Sequence, residues 1–94
     1  MLFVFHCVDK PDHQAVRAEH RRHHLEHLSK IRNQVICAGP TLSDDGETMT
    51  GSLLILDFPD RAAAEGFLHR DPYYKAGLFQ SVEVMPWKKV MPAH

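Results

Sequence analysis

Between Glu19 and Leu28 the chain reads Glu-His-Arg-Arg-His-His-Leu-Glu-His-Leu, which gathers four of its 8 histidines and two arginines into three turns of a helix. An imidazole can both accept and release a proton near neutral pH, so a histidine cluster invites an acid–base reading. It also invites a metal reading. His20 and His24 stand four residues apart, as do His23 and His27, a spacing that can chelate a divalent ion on one helix. No thiolate or acidic cluster nearby in sequence completes a tetrahedral set. His23 is followed by His24 and Leu25, so H-E-x-x-H is not matched. No resident metal is expected. No serine or cysteine is obviously placed as a nucleophile, and no glycine-rich phosphate loop is present.

The helix bearing these residues has two kinds of inward face. At 100° per residue, Leu25, Leu28 and Ile31 form an apolar arc, and its backward extension takes in His24, Arg21 and Arg17. Glu19, Arg22, His23 and Glu26 point to solvent, with His20 and His27 on the flanks. Charged groups on an inward arc are costly unless paired or hydrated. Two readings stand. In the first, the arginines snorkel past the sheet edge and His24 is a satisfied, half-buried side chain. In the second, Arg17, Arg21 and His24 line a polar cleft, where either arginine could bind an anionic substrate or stabilise an enolate-like intermediate.

The remaining elements follow from punctuation and periodicity. Leu2 to Val8 reads as a strand apolar on both faces, broken by Lys10-Pro11-Asp12. Asp12 is a plausible N-cap for a helix running to about Asn33. Val35 to Ala38 is a short strand stopped by Gly39-Pro40, and Ser43 to Glu47 is a polar turn. Gly51 to Phe58 is a third apolar strand. Asp60 caps a second helix, Arg61 to His69, which Asp71-Pro72 closes. Tyr73 to Leu78 is a short connector with room for one helical turn, and Phe79 to Met85 a last strand ended by Pro86-Trp87. The order βαββαβ is a split βαβ pattern, an α+β ferredoxin-like fold with both helices on one face of an antiparallel sheet. The other face is also apolar, which points to a homodimer with a second copy as its cover.

Size and charge narrow the field. A chain of 94 residues holds one domain, 1–94. The formal net charge of −1 gives no global attraction to nucleic acid and supplies no polybasic block for a membrane surface. The apolar N-terminus lacks a basic n-region and a cleavage site, so no signal peptide is expected, and no run approaches a transmembrane length. Cys7 and Cys37 sit in strand-like runs and read as reduced core thiols, with a cross-strand disulfide as the alternative. A cytoplasmic location is expected.

An ordered set of short motifs spans nearly the whole chain: Val8-Asp9, Arg21-x-x-His24-Leu25-x-x-Leu28, Ala38-Gly39-Pro40, Asp44-Asp45-Gly46, Gly51-Ser52-Leu53, Asp71-Pro72-Tyr73, Ala76-Gly77-Leu78 and Pro86-Trp87. With these the chain resembles the YCII-related (YciI-like) family. The resemblance implies a ferredoxin-like protomer, a dimeric α+β barrel, and an active site made of a first-helix histidine and the aspartate of the Asp-Pro-Tyr segment. Those positions are His24 and Asp71. The extra histidines around His24 depart from the family pattern.

A carboxylate bonded to one ring nitrogen of His24 would fix its tautomer and leave the other nitrogen for proton transfer. The expected function is therefore a small cofactor-independent enzyme acting on a small molecule, neutral or anionic, by lyase, isomerase or hydrolase-type proton transfer. Arg17, Arg21 and Tyr73 are the candidate substrate-binding residues. Competing accounts are an Asp71 that only caps backbone amides, a Tyr73 that is ordinary core, and a non-catalytic ligand-binding or dimerisation module.

Overall fold

The computed structural model describes residues 1–93. Its elements are β1 (Leu2–Asp9), α1 (Gln14–Ser29), a 3-10 turn (Arg32–Gln34), β2 (Val35–Leu42), β3 (Met49–Asp57), α2 (Arg61–His69), α3 (Pro72–Lys75) and β4 (Phe79–Trp87). The four strands form one antiparallel sheet in the order β2-β3-β1-β4, the ferredoxin-like arrangement.

Period-2 alternation decides which side chains meet the helices. Phe3, Phe5 and Cys7 of β1 stand opposite Leu56, Leu54 and Ser52 of β3, and all six are buried. Ala64, Phe67 and Leu68 of α2 and Leu28 of α1 close over them. Burying each large apolar side chain contributes about 1.5–3 kcal/mol. Asp60 caps α2, its carboxylate accepting from Ala63 N at 2.8 Å. Gly51 lies so close to β1 that an added Cβ would strike the Cys7 carbonyl, which makes this strand position glycine-only.

The opposite sheet face is open in the single chain. Met85 pairs with Val4, Trp87 with Leu2, and Leu53 lies across from His6. Leu53, Met85 and Trp87 are 41%, 45% and 38% exposed, so an apolar surface meets solvent here.

Several expected boundaries move. Asp12 does not cap α1: it takes a left-handed backbone (φ 59°), and His13 occupies the N-cap position without a side-chain capping bond, its Nδ1 lying 2.8 Å from the Pro11 carbonyl oxygen instead. Pro11 and the turn after β1 use Asp12 to reverse the chain, a conformation aspartate tolerates. The helix ends at Ser29, and the 3-10 turn replaces its expected last part. β2 runs through Gly39-Pro40 to Leu42, and β4 runs through Pro86 to Trp87. Both are edge strands, where a proline's missing N–H can face away from the sheet. Both cysteines are free, but only Cys7 is core; Cys37 on edge strand β2 is exposed.

Candidate functional site

Helix α1 buries Arg17, His24 and Leu28, a spacing of seven and four that lies on one face. Below them Asp71 lies between α2 and α3. It is the N-cap residue of α3, with Pro72 in the first helical turn, and its Oδ1 accepts from Tyr73 N at 2.9 Å. The same carboxylate accepts from His24 Nδ1, 3.0 Å from Oδ1 and 3.0 Å from Oδ2. Asp71 is only 2% exposed, so these bonds are what make its burial tolerable. An ionised carboxylate only accepts, which places the His24 proton on Nδ1. Nε2 has no hydrogen-bond partner among the described residues. Because no fully buried side-chain nitrogen there lacks one, this atom is open to the adjoining cavity.

Tyr73 fixes the imidazole plane. The two rings stack with centroids 4.1 Å apart and planes 18° from parallel. The Arg17 guanidinium lies 4.7 Å from the Tyr73 centroid. Arg17 donates through Nε to Asp9 at 2.7 Å and through Nη2 to Asp9 at 2.9 Å, and Nη2 reaches Ser52 Oγ at 2.9 Å. Burial alone would lower the Arg17 pKa, but the hydrogen-bonded Asp9 carboxylate outweighs it and raises it. Burial pushes the Tyr73 phenol up, opposed by the charges of Arg17 and Arg21, so its hydroxyl stays protonated at neutral pH. Burial, then the charge of Asp71, pushes the Cys7 thiol to about 12, which makes it inert as a nucleophile.

His24, Arg17, Ser52 and Tyr73 line a cavity of about 210 Å³ between α1 and the sheet, which Ala38-Gly39-Pro40 and Met49 close on the far side. That is below the roughly 300 Å³ at which sites for drug-sized ligands begin, so it suits a molecule of about one ring. Arg21 and Leu25 stand at the rim. Both are exposed, and Arg21 has no ion pair or hydrogen bond among the described residues.

The five residues singled out from sequence thus converge on one place, in different roles. His24 and Asp71 are in contact, Tyr73 packs against His24, and Arg21 faces the opening. Arg17 does not snorkel: its guanidinium is bound inside the protein. Leu25, expected on the packed arc, is 43% exposed. The helical histidine pairs are split, since His24 is turned into Asp71 while His20, His23 and His27 line a separate groove toward the ends of α2 and α3, where His27 stacks on Phe67 with ring centroids 3.9 Å apart. Among the described residues no three His, Cys, Asp or Glu side chains form a metal-binding group. Asp9 and Ser52 were missed as functional residues. Their signal was phase: Asp9 continues the inward series Phe3, Phe5, Cys7, and Ser52 the inward series Leu56, Leu54.

A ferredoxin-like sheet with a buried His–Asp contact under its first helix defines a class of small α+β proteins with a one-ring cavity. Residues 1–88 match the YCII-related domain, and the chain belongs to that family. It is 34% identical over 97 residues to Protein YciI of Escherichia coli, covering 96% of this chain and 99% of that one. It is equally similar to an uncharacterised protein of Haemophilus influenzae. Among solved structures, 5-chloro-2-hydroxyhydroquinone dehydrochlorinase (TftG) of Burkholderia phenoliruptrix, in complex with 2,5-dihydroxybenzoquinone, superposes with a TM-score of 0.87 at 35% identity, covering 94% of each chain. A protein of Bacteroides thetaiotaomicron assigned to the antibiotic biosynthesis monooxygenases shares the fold alone, at 13% identity and a TM-score of 0.62 over 100% of this chain and 92% of that one. Among the described residues no helix is long and apolar enough to cross a membrane.

Proposed function

We propose that the chain is a cofactor-independent enzyme that moves a proton on a small anionic substrate. His24 is the general base and then the acid, and Asp71 is the carboxylate that orients it. One observation carries the reading: Nδ1 of His24 is held at 3.0 Å by both Asp71 oxygens while Nε2 is left for the cavity. Arg21 at the rim holds the substrate's ionised oxygen, and Tyr73 keeps the imidazole in plane. Arg17 is a positioning residue: anchored by Asp9 and Ser52, it holds Tyr73 in place.

The likeness to a dehydrochlorinase holding a dihydroxyquinone supports a small polyoxygenated ring as substrate class and lyase-type elimination as reaction type. Loss of HCl balances without an oxidant or reductant. The base takes the proton, the carbon–chlorine bond breaks, and chloride leaves with the electron pair.

The test is chloride release from 5-chloro-2-hydroxyhydroquinone by the full chain, followed with an ion-selective electrode. Release above the uncatalysed rate that drops at least about 100-fold in His24→Ala supports the reading. An equal rate in both proteins would leave this substrate class without support. Tight binding of 2,5-dihydroxybenzoquinone with no turnover of any ring tested would favour a ligand-binding module.

The functional unit proposed is a homodimer in which a second copy covers Leu53, Met85 and Trp87, working in the cytoplasm.

A further inference from the structure

Across α1 from the catalytic cavity runs a second concavity, a trough of about 520 Å³. The two share no lining residue. Three elements bring cations to the trough: Lys30 just after α1, Arg70 at the end of α2, and Lys75 at the end of α3. None of the three has an ion-pair partner among the described residues. The single carboxylate of the lining, Glu26, lies 3.4 Å from Arg22. The trough therefore carries a local positive excess on a chain whose net charge is −1.

Gathering unpaired like charges around one concavity costs electrostatic free energy that an anion would relieve. A guanidinium beside two ammonium groups matches the several oxygens of a phosphate better than a single carboxylate. His20 and His23 on the α1 wall add ring N–H donors. An adjoining cavity of about 290 Å³ shares Lys30, Arg70 and Lys75 and is floored by Ile31 and Phe67. Apolar surface beside a basic trough suits a ligand with a charged end and a ring or chain attached. The trough lies in the helical layer, so pairing of two copies through the open sheet face would leave it accessible.

We propose that this trough is a second binding site, for a small anion bearing a pyrophosphate-type group. The charged end rests on Lys30, Arg70 and Lys75. The site is independent of the His24–Asp71 reading and would stand if that reading failed.

Isothermal titration calorimetry of the full chain with inorganic pyrophosphate at low salt is the direct test, with amide chemical-shift mapping to locate the ion. The expected result is a dissociation constant of about 1 mM or tighter that weakens as salt rises. Shifts should centre on residues 27–30 and 70–76. Lys30→Gln/Lys75→Gln should weaken binding at least about tenfold, while Lys30→Arg/Lys75→Arg should retain it and Arg21→Gln should leave it unchanged. A second arm with ADP separates the sources: tighter binding than pyrophosphate assigns the Ile31–Phe67 cavity to an organic portion, and equal binding assigns the site to the bare anion. Either result supports the site. No heat and no shifts at about 10 mM pyrophosphate would overturn it. So would shifts centred on Gly39 and Ser52, which line the other cavity, or undiminished affinity in the Gln double variant.

Discussion

The imidazole of His24 lies nearly parallel to the ring of Tyr73, with centroids 4.1 Å apart. Tyr73 is also the residue whose backbone N–H bonds Asp71 Oδ1 at 2.9 Å. One residue thus fixes the plane of the imidazole and the direction of the carboxylate that holds it. Stacking restricts ring tilt, and the backbone bond restricts carboxylate rotation, so little reorganisation is left for a proton-transfer step.

Asp71→Asn tests this coupling. Asparagine is as good an N-cap as aspartate, so α3 should persist and the melting temperature should change little. Its amide, however, can donate to Nδ1 and reverse the tautomer, turning the cavity-facing Nε2 from acceptor to donor. Turnover should fall roughly 10²–10⁴-fold. Full turnover in a normally folded Asp71→Asn protein would remove Asp71 from the mechanism.

Asp9→Asn probes the support beneath the site. It leaves Arg17 buried with an uncompensated charge, and breaking one side of a buried pair costs about 3–5 kcal/mol. Loss of 3 kcal/mol in a domain of this size lowers the melting temperature by roughly 12–24 °C. Differential scanning calorimetry reads this directly. A shift under about 3 °C would mean that Arg17 finds another partner or water.

The two thiols should behave oppositely. Iodoacetamide at pH 8 should label exposed Cys37 and spare Cys7, giving one adduct by mass spectrometry; two adducts on native protein would contradict the burial of Cys7. The same thiol makes stability pH-dependent. Its pKa is raised in the folded state, from 9.0 to about 12, so the unfolded chain releases the proton first. The contribution is therefore complete below about pH 9 and is lost as pH climbs toward 12, at up to about 1.4 kcal/mol per pH unit. Urea midpoints should fall across that window, and less steeply in Cys7→Ala.

The open sheet face makes a prediction about assembly. Leu53→Lys/Met85→Glu places two charges on the patch beside Trp87 without touching the residues under the helices. If a second copy covers this face, sedimentation should change from dimer to monomer and the melting temperature should become lower and independent of concentration. An unchanged sedimentation coefficient would place any self-association elsewhere.

Much of this protein was legible in one dimension. Doubly apolar strands at Leu2–Val8 and Gly51–Phe58, a capped helix after Asp60 and the Asp71-Pro72 break carry the βαββαβ order, because strand and helix periods and proline geometry are local properties. The angular position of His24 on α1 is local as well, and it separated His24 from His23. The 3.0 Å contact with Asp71 spans 47 residues of sequence, so only the packing of α1 on α3 decides it. The fate of Arg17 was likewise undecided by its place on the wheel. A guanidinium on an inward arc can reach solvent or a buried carboxylate, and the choice depends on Asp9 and Ser52, which the sheet brings from two other strands. The edge prolines Pro40 and Pro86 show the same limit. A proline stops a central strand but not an outer one, and strand order is a property of the sheet, not of the residues beside the proline.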